Sequence, residues 1–310
     1  MEYLLLIVGF VLLTFAADWL VDGASGLAKR LNVSDLVIGL TIVAFGTSAP
    51  ELVVNVVATA KGTPEIALTN VVGSNIFNVL IILGLSVLIS PIVCKKNTFR
   101  YEIPLSVLAA VAVLLLGLDN VVQRFDGVTL LLCFIVFLVY ISFQAKKDMM
   151  SADNTSTQSV GMKAWKALLL IVVGLVGLVA GGNLIVDNAV SIAQSWGVSE
   201  AVIGVTIVAA GTSLPELATS VIAAIKKNTD LAIANVIGSN IFNIFFILGL
   251  SSSISPLPVY PNFVVDASVA AGSSLLLWLF VAFSRKRELN RWAGLVMLLC
   301  YAAYVFSLLA

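Results

Sequence analysis

The stretch 37–86 falls on 202–251 without a gap, an offset of 165 residues, and 30 of the 50 aligned positions are identical. The strongest segments are VIGLTIVAFGTSAPELVV against VIGVTIVAAGTSLPELAT, and NVVGSNIFN against NVIGSNIFN. Shared hydrophobicity does not place Gly, Pro, Glu and Asn at matching positions. The chain therefore carries two copies of one unit, and any fold for it must accommodate both.

Both copies lie in strongly apolar surroundings. The chain is 60% hydrophobic and 11% charged, where soluble domains carry about 25% charged residues. Ten apolar runs approach or exceed the ~20 residues that cross a bilayer as helix. They cover 3–27, 34–60, 65–90, 101–118, 126–144, 165–193, 199–225, 231–254, 259–283 and 290–309. The runs are continuous rather than alternating, which disfavours a transmembrane β-barrel. The N-terminal MEYLLLIVGF lacks the basic region and small-residue cleavage site of a secretory signal, so it reads as a retained first span. The expected fold is all-α and integral to the membrane, with ten transmembrane helices.

The basic residues set an orientation. With the N-terminus outside, 15 of the 17 Lys and Arg fall in cytoplasmic loops and only Lys61 and Arg124 lie outside, as the positive-inside rule requires. Both termini are then external. Five spans separate equivalent points of the repeat. An odd number reverses direction, so the two five-helix repeats are expected to be inverted. The polar stretch 146–163, KKDMMSADNTSTQSVGMK, reads as a flexible cytoplasmic linker between repeats at 1–145 and 164–310. Inverted repeats are an architecture of secondary transporters, with the site near the midplane.

Glu51 and Glu216 occupy the same slot in the two copies, well inside spans two and seven. An ionisable group there costs roughly 2.5–3.5 kcal/mol and needs a partner. No Lys or Arg lies at matching depth, so the natural partner is a bound cation. Two carboxylates balance one divalent ion, and oxygen ligation suits hard ions such as Ca²⁺ and Na⁺. Each Glu ends a Gly-Thr-Ser-X-Pro-Glu motif: Gly46, Thr47, Ser48, Pro50, Glu51, and Gly211, Thr212, Ser213, Pro215, Glu216. Proline removes a backbone donor, so the helix is expected to break there and free carbonyls toward a cavity. The same residues also fit a capping box, Ser48 with Glu51 and Ser213 with Glu216. Spans three and eight add Ser74, Asn75 and Asn78, and Ser239, Asn240 and Asn243. Ser74 and Asn78 share a helix face. They are either neutral oxygen donors to the same centre or small polar packing residues, with packing weighing more for Asn75 and Asn240 than for Ser74 and Ser239.

Other features carry less. Asp18, Asp22, Asp187 and Asp266 lie nearer span ends and read as solvated or capping. Asp22 and Asp187 are repeat equivalents, and Asp18 matches Asn183. Cys94, Cys133 and Cys300 are far apart and show no zinc or disulfide spacing. With no histidine, histidine-assisted catalysis is excluded. The zero formal charge gives no pull toward nucleic acid. No cofactor and no obligate protein partner is indicated; the partners expected are transported cations and the lipid bilayer.

On GTSAPE with GSNIFN and GTSLPE with GSNIFN, the chain resembles the cation/calcium exchanger superfamily over essentially its whole length, most closely the small prokaryotic sodium/calcium exchangers. The resemblance implies a non-enzymatic antiporter in a prokaryotic cell (inner) membrane, carrying Ca²⁺ and Na⁺. It implies that Glu51 and Glu216 bind calcium and share in sodium sites, joined by Thr47 and Thr212. Ser48, Ser74, Ser213, Ser239 and the carbonyls of Ala44 and Ala209 would line sodium sites. Asn78 and Asn243 would complete the centre, and spans one and six would slide to alternate access. Some relatives have Asp where Asn243 stands; Asn there resembles potassium-independent exchangers. Proton-coupled Ca²⁺ exchange on the same two glutamates is the alternative reading.

Overall fold

The computed structural model describes residues 1–152, 162–196 and 209–309. Twelve helical segments make up almost all of it. They are α1 (Glu2–Leu31), α2 (Asp35–Thr47), α3 (Ala49–Ala60), α4 (Ile66–Ile89), α5 (Thr98–Leu116) and α6 (Arg124–Ala152), followed by α7 (Ala164–Ser195), α8 (Ala209–Gly211), α9 (Leu214–Ile225), α10 (Thr229–Ile254), α11 (Phe263–Phe283) and α12 (Arg291–Leu309). Among the described residues eight helices are long and apolar enough to cross a membrane, and a ninth results if α2 and α3 form one broken span. The first part of expected span seven, 199–208, lies outside the described residues, as does the 202–208 portion of the repeat. The helix α9 remains.

The two copies fold alike. Helices α3 and α9 are both 12 residues long and begin at equivalent positions. Helices α4 and α10 both pass through a π-helical segment, Asn78–Leu83 and Phe242–Leu248, soon after the Ser-Asn motif. These two helices form the centre of the molecule. The hydrophobic stretch of α10 is 94% buried and that of α4 67%, against 17–39% for the other long helices. The spans that carry Ser74, Asn78, Ser239 and Asn243 are thus shielded from lipid by the rest.

Helices α1 and α7 pack along each other at backbone distance. A Cβ on Gly23 would lie 2.8 Å from the Ala167 carbonyl, and one on Gly174 would lie 2.8 Å from the Ala16 carbonyl. Small residues at such seams let membrane helices approach closely.

Two expectations need correction. The all-helical reading omits two short antiparallel ribbons. Strand β1 (Ile92–Val93) pairs with β4 (Glu288–Leu289), and β2 (Val121–Val122) pairs with β3 (Leu257–Pro258). Each ribbon joins a loop of one half to a loop of the other, so short loops satisfy backbone groups that have no helix to serve. The linker also begins later than expected. Helix α6 continues to Ala152, and its Asp148 carboxylate accepts the Ser34 backbone N–H at 3.0 Å. Residues 153–161 lie outside the described residues.

Candidate functional site

The site forms where the two Gly-Thr-Ser-X-Pro-Glu motifs meet. Helices α2 and α3 are bent by 46° at Ser48, which leaves the helical range with φ −81° and ψ 10°. Pro50 and Pro215 fall in the first turns of α3 and α9. There the missing N–H removes only a donor that had no intrahelical partner. The Ala44 carbonyl accepts Ser48 N–H at 3.0 Å and accepts from Thr47 Oγ1 at 3.3 Å. Ala209 opens the short helix α8.

Neither serine caps its own helix. Each donates instead to the glutamate of the opposite copy. Ser48 Oγ lies 2.8 Å from Glu216 Oε1, and Ser213 Oγ lies 3.2 Å from Glu51 Oε1. Both glutamates are enclosed, with relative exposures of 1% and 0%. The local capping reading fails because the partner that satisfies each hydroxyl lies across the repeat interface, where a buried carboxylate offers a stronger acceptor than a neutral group.

Four asparagines lock α4 to α10 with the same two-fold logic. Asn75 donates to the Asn240 carbonyl at 3.3 Å, and Asn240 donates to the Asn75 carbonyl at 3.2 Å. Asn78 donates to Asn240 Oδ1 at 3.0 Å, and Asn243 donates to Asn75 Oδ1 at 3.2 Å. Packing roles for Asn75 and Asn240 are borne out by these contacts. They also fix which way Asn78 and Asn243 point. With their amides engaged, the oxygens of Asn78 and Asn243 are left without a partner.

Of the buried polar atoms left without a hydrogen-bond partner, seven belong to the two pairs of motifs and all seven are oxygens: Glu51 Oε2, Glu216 Oε2, Ser74 Oγ, Ser239 Oγ, Asn78 Oδ1, Asn243 Oδ1 and Thr212 Oγ1. Buried polar atoms are satisfied in the large majority of cases. A set of carboxylate, hydroxyl and amide oxygens without donors is what a hard cation satisfies. Among the described residues no three or more His, Cys, Asp or Glu side chains group together, so two carboxylates carry the charge.

Several residues here were missed at the level of sequence. Asn235 accepts from Thr47 Oγ1 at 3.2 Å and donates to Ser220 Oγ at 2.9 Å and to the Glu216 carbonyl at 3.3 Å. Its identity with Asn70 in the repeat was the available signal. Asn55, one turn beyond Glu51, donates to the Glu51 carbonyl at 2.7 Å. Glu102 is fully buried and accepts from the Tyr140 hydroxyl. Asp266 accepts from Tyr304 at 2.9 Å. Both pairs are 38 residues apart, a second repeat of chemistry that runs one residue out of step with the main offset. Asp266 is thus a buried hydrogen-bonded group rather than a solvated one.

The surroundings of the site are not symmetric. A cavity of about 370 Å³ opens beside it, lined by Pro50, Val54, Asn183, Asp187, Thr212 and Pro215 among others. At the opposite end, Lys226 binds Asp18 at 2.7 Å and Asp22 at 2.6 Å. These two aspartates keep side-chain exposures of 42% and 52%, as the solvated reading expected, and the ion pair with Lys226 is an addition to it. Burial alone lowers the Lys226 pKa, but the two carboxylates outweigh it and hold the ammonium above its ordinary value. Further contacts close the same end: Asn228 donates to Ser25 and Asp35, and Lys95 pairs with Asp230 at 2.6 Å.

Comparison with known proteins gives a consistent match. The model of a family described as sodium/calcium exchanger protein matches residues 1–143 and 166–310. A putative antiporter, CaxA, of Alkalimonas amylolytica is 38% identical, with 97% of each chain covered. The sodium/calcium exchanger MaX1 of Methanosarcina acetivorans is 31% identical over 99% of this chain and 98% of its own. A solved structure of the sodium-calcium exchanger NCX_Mj superposes with a TM-score of 0.85 at 36% identity, covering 99% of this chain and 98% of that one.

Proposed function

The chain belongs to the sodium/calcium exchanger protein family, and on that basis we propose that it exchanges Na⁺ for Ca²⁺ by alternating access at the paired-glutamate site. Ca²⁺ and Na⁺ are substrates here, not resident cofactors. The observation that carries the reading is the reciprocal bonding of Ser48 to Glu216 and Ser213 to Glu51, beside unpartnered oxygens from both copies.

In this reading Glu51 and Glu216 balance one Ca²⁺ between them, or take Na⁺ ions in its place. Ser48 and Ser213 turn from the carboxylates to the ions, and Ser74, Ser239, Thr47, Thr212, Asn78 and Asn243 supply neutral oxygens. The backbone oxygens of Ala44 and Ala209 are the remaining expected donors. A Ca²⁺ ion takes six to eight oxygen ligands, which this set provides.

The topology is ten spans in two inverted halves, both termini external, in a prokaryotic cell (inner) membrane. Loop contacts support it. Loops assigned to the cytoplasm meet one another: 92–93 with 288–289, Lys95 with Asp230, Ser34 with Asp148. Loops assigned outside do likewise: 121–122 with 257–258, and Arg124 with the Ile254 carbonyl at 3.2 Å.

The test is radiolabelled calcium uptake into proteoliposomes of the purified chain, driven by an outward sodium gradient with pH-gradient and no-gradient controls. Uptake that needs internal sodium is the expected result. Uptake driven only by the pH gradient assigns the same site to proton-coupled exchange.

A further inference from the structure

Lys226 and Lys61 are equivalent in the repeat, as are Asp22 and Asp187. Their environments differ completely. Lys226 is half-buried between Asp18 and Asp22, donates also to the Asp18 carbonyl at 3.2 Å, and binds the second half of α1 to the end of α9. Lys61 and Asp187 are exposed and, among the described residues, form no ion pair. Asp187 lines the 370 Å³ cavity. One member of a matched set of charges is closed while its counterpart stands open, and Asp187 of the open set borders the 370 Å³ cavity beside the site.

In an inverted-repeat transporter the two copies exchange conformations when access alternates. A contact that one copy makes on the closed side should then be made by the other copy after the switch. We propose that Lys226 with Asp18 and Asp22, and Lys61 with Asp187, are two mutually exclusive gates, one at each mouth of the transport path. The structure has the first shut and the second open. When the first releases α1 from α9, the second joins Asp187 of α7 to the end of α3. The proposal rests on the alternating-access reading above but not on which ion drives the exchange.

The two gates are unequal. Asn183 stands where the first copy has Asp18, so Lys61 meets one carboxylate where Lys226 meets two. The resting balance therefore favours the state with the Lys226 end shut.

Cross-linking tests this in the full chain in proteoliposomes, with Cys94, Cys133 and Cys300 replaced by Ala. The first pair is Asp22→Cys with Lys226→Cys, the second Lys61→Cys with Asp187→Cys, each treated with a short bifunctional thiol reagent. The first pair should cross-link readily and stop calcium flux until reduced. The second should cross-link weakly, and the yield should rise when Lys226→Ala removes the opposing gate. Asn183→Asp, which adds a carboxylate without breaking anything, should raise it by roughly two- to fivefold, the factor an exposed ion pair is worth. Undiminished flux through the first cross-link would overturn the proposal. So would a yield for the second pair that ignores both Lys226→Ala and Asn183→Asp. Because the yields are read without reference to the driving ion, proton-coupled rather than sodium-coupled flux would overturn the ion assignment and leave the gates standing.

Discussion

Ser48 Oγ donates to Glu216 Oε1 at 2.8 Å across 168 residues of sequence, and the repeat mate of this bond, Ser213 to Glu51, is formed as well. Each carboxylate is thus held by a hydroxyl from the other half. Neither half contains both partners of either bond.

Removing either charge leaves one carboxylate for a divalent ion. Glu51→Gln and Glu216→Gln should each reduce sodium-driven calcium uptake to the level of empty liposomes, while both proteins still purify as folded monodisperse species. Substantial calcium uptake by both variants would refute the site assignment.

The cross-bonded hydroxyls should show themselves in affinity rather than fold. Hydrogen bonds to charged groups contribute about 1.5–3 kcal/mol, and each 1.4 kcal/mol is tenfold in binding. Ser48→Ala and Ser213→Ala are each expected to raise the KM for calcium at least about tenfold. The check is initial uptake rates against calcium concentration.

The asparagine quartet is a stability element. Asn75→Leu would remove the donor to the Asn240 carbonyl and the acceptor of the Asn243 amide. Leaving buried polar groups unsatisfied costs about 1–3 kcal/mol each. A clear drop in the thermal midpoint in detergent is expected, and Asn240→Leu should match it, because the two residues play mirrored parts.

Gly23→Ala tests the α1–α7 seam. The added carbon would lie 2.8 Å from a backbone oxygen and 2.9 Å from the Ile171 nitrogen, so the helices must separate. Overpacking of this kind costs about 1–3 kcal/mol. Lower stability and lower calcium flux are expected together, whereas Gly73→Ala, with open space around its Cβ, should be silent in both.

Cys94 provides a reactivity contrast. Burial, with the nearby Asp230 and Glu102 carboxylates adding to it, pushes its thiol up to about 12. A raised thiol pKa means less thiolate at any pH below it, so at pH 8 only roughly one molecule in 10⁴ is in the nucleophilic form. Maleimide should leave Cys94 unmodified in the folded protein and label it after denaturation, read by peptide mass spectrometry.

Much of this was legible in the sequence, for identifiable reasons. The 165-residue offset placed Glu51 against Glu216 and Ser74 against Ser239, and buried charge in an apolar run has few physical explanations. The pairing partners were harder. A serine three residues before a glutamate looks like a local cap, and only three-dimensional structure shows that each hydroxyl crosses to the other copy. The Glu102–Tyr140 and Asp266–Tyr304 pairs escaped because they stand one residue out of register with the main repeat. The ion pairs of Asp18 and Asp22 escaped because nothing in the sequence links these exposed carboxylates to Lys226, some 200 positions away.

The crossed ribbons have a bearing on how the chain can be divided. Strands β1 and β2 belong to the first half, yet they pair only with β4 and β3 of the second. A half-length chain would present two unpaired edges, one serine without its acceptor and one carboxylate without its donor, each matching what another half supplies. Two separate polypeptides cut between 152 and 162 should therefore find each other in the bilayer and rebuild the whole. A lone half would be pressed to recruit a second copy of itself inserted the other way up.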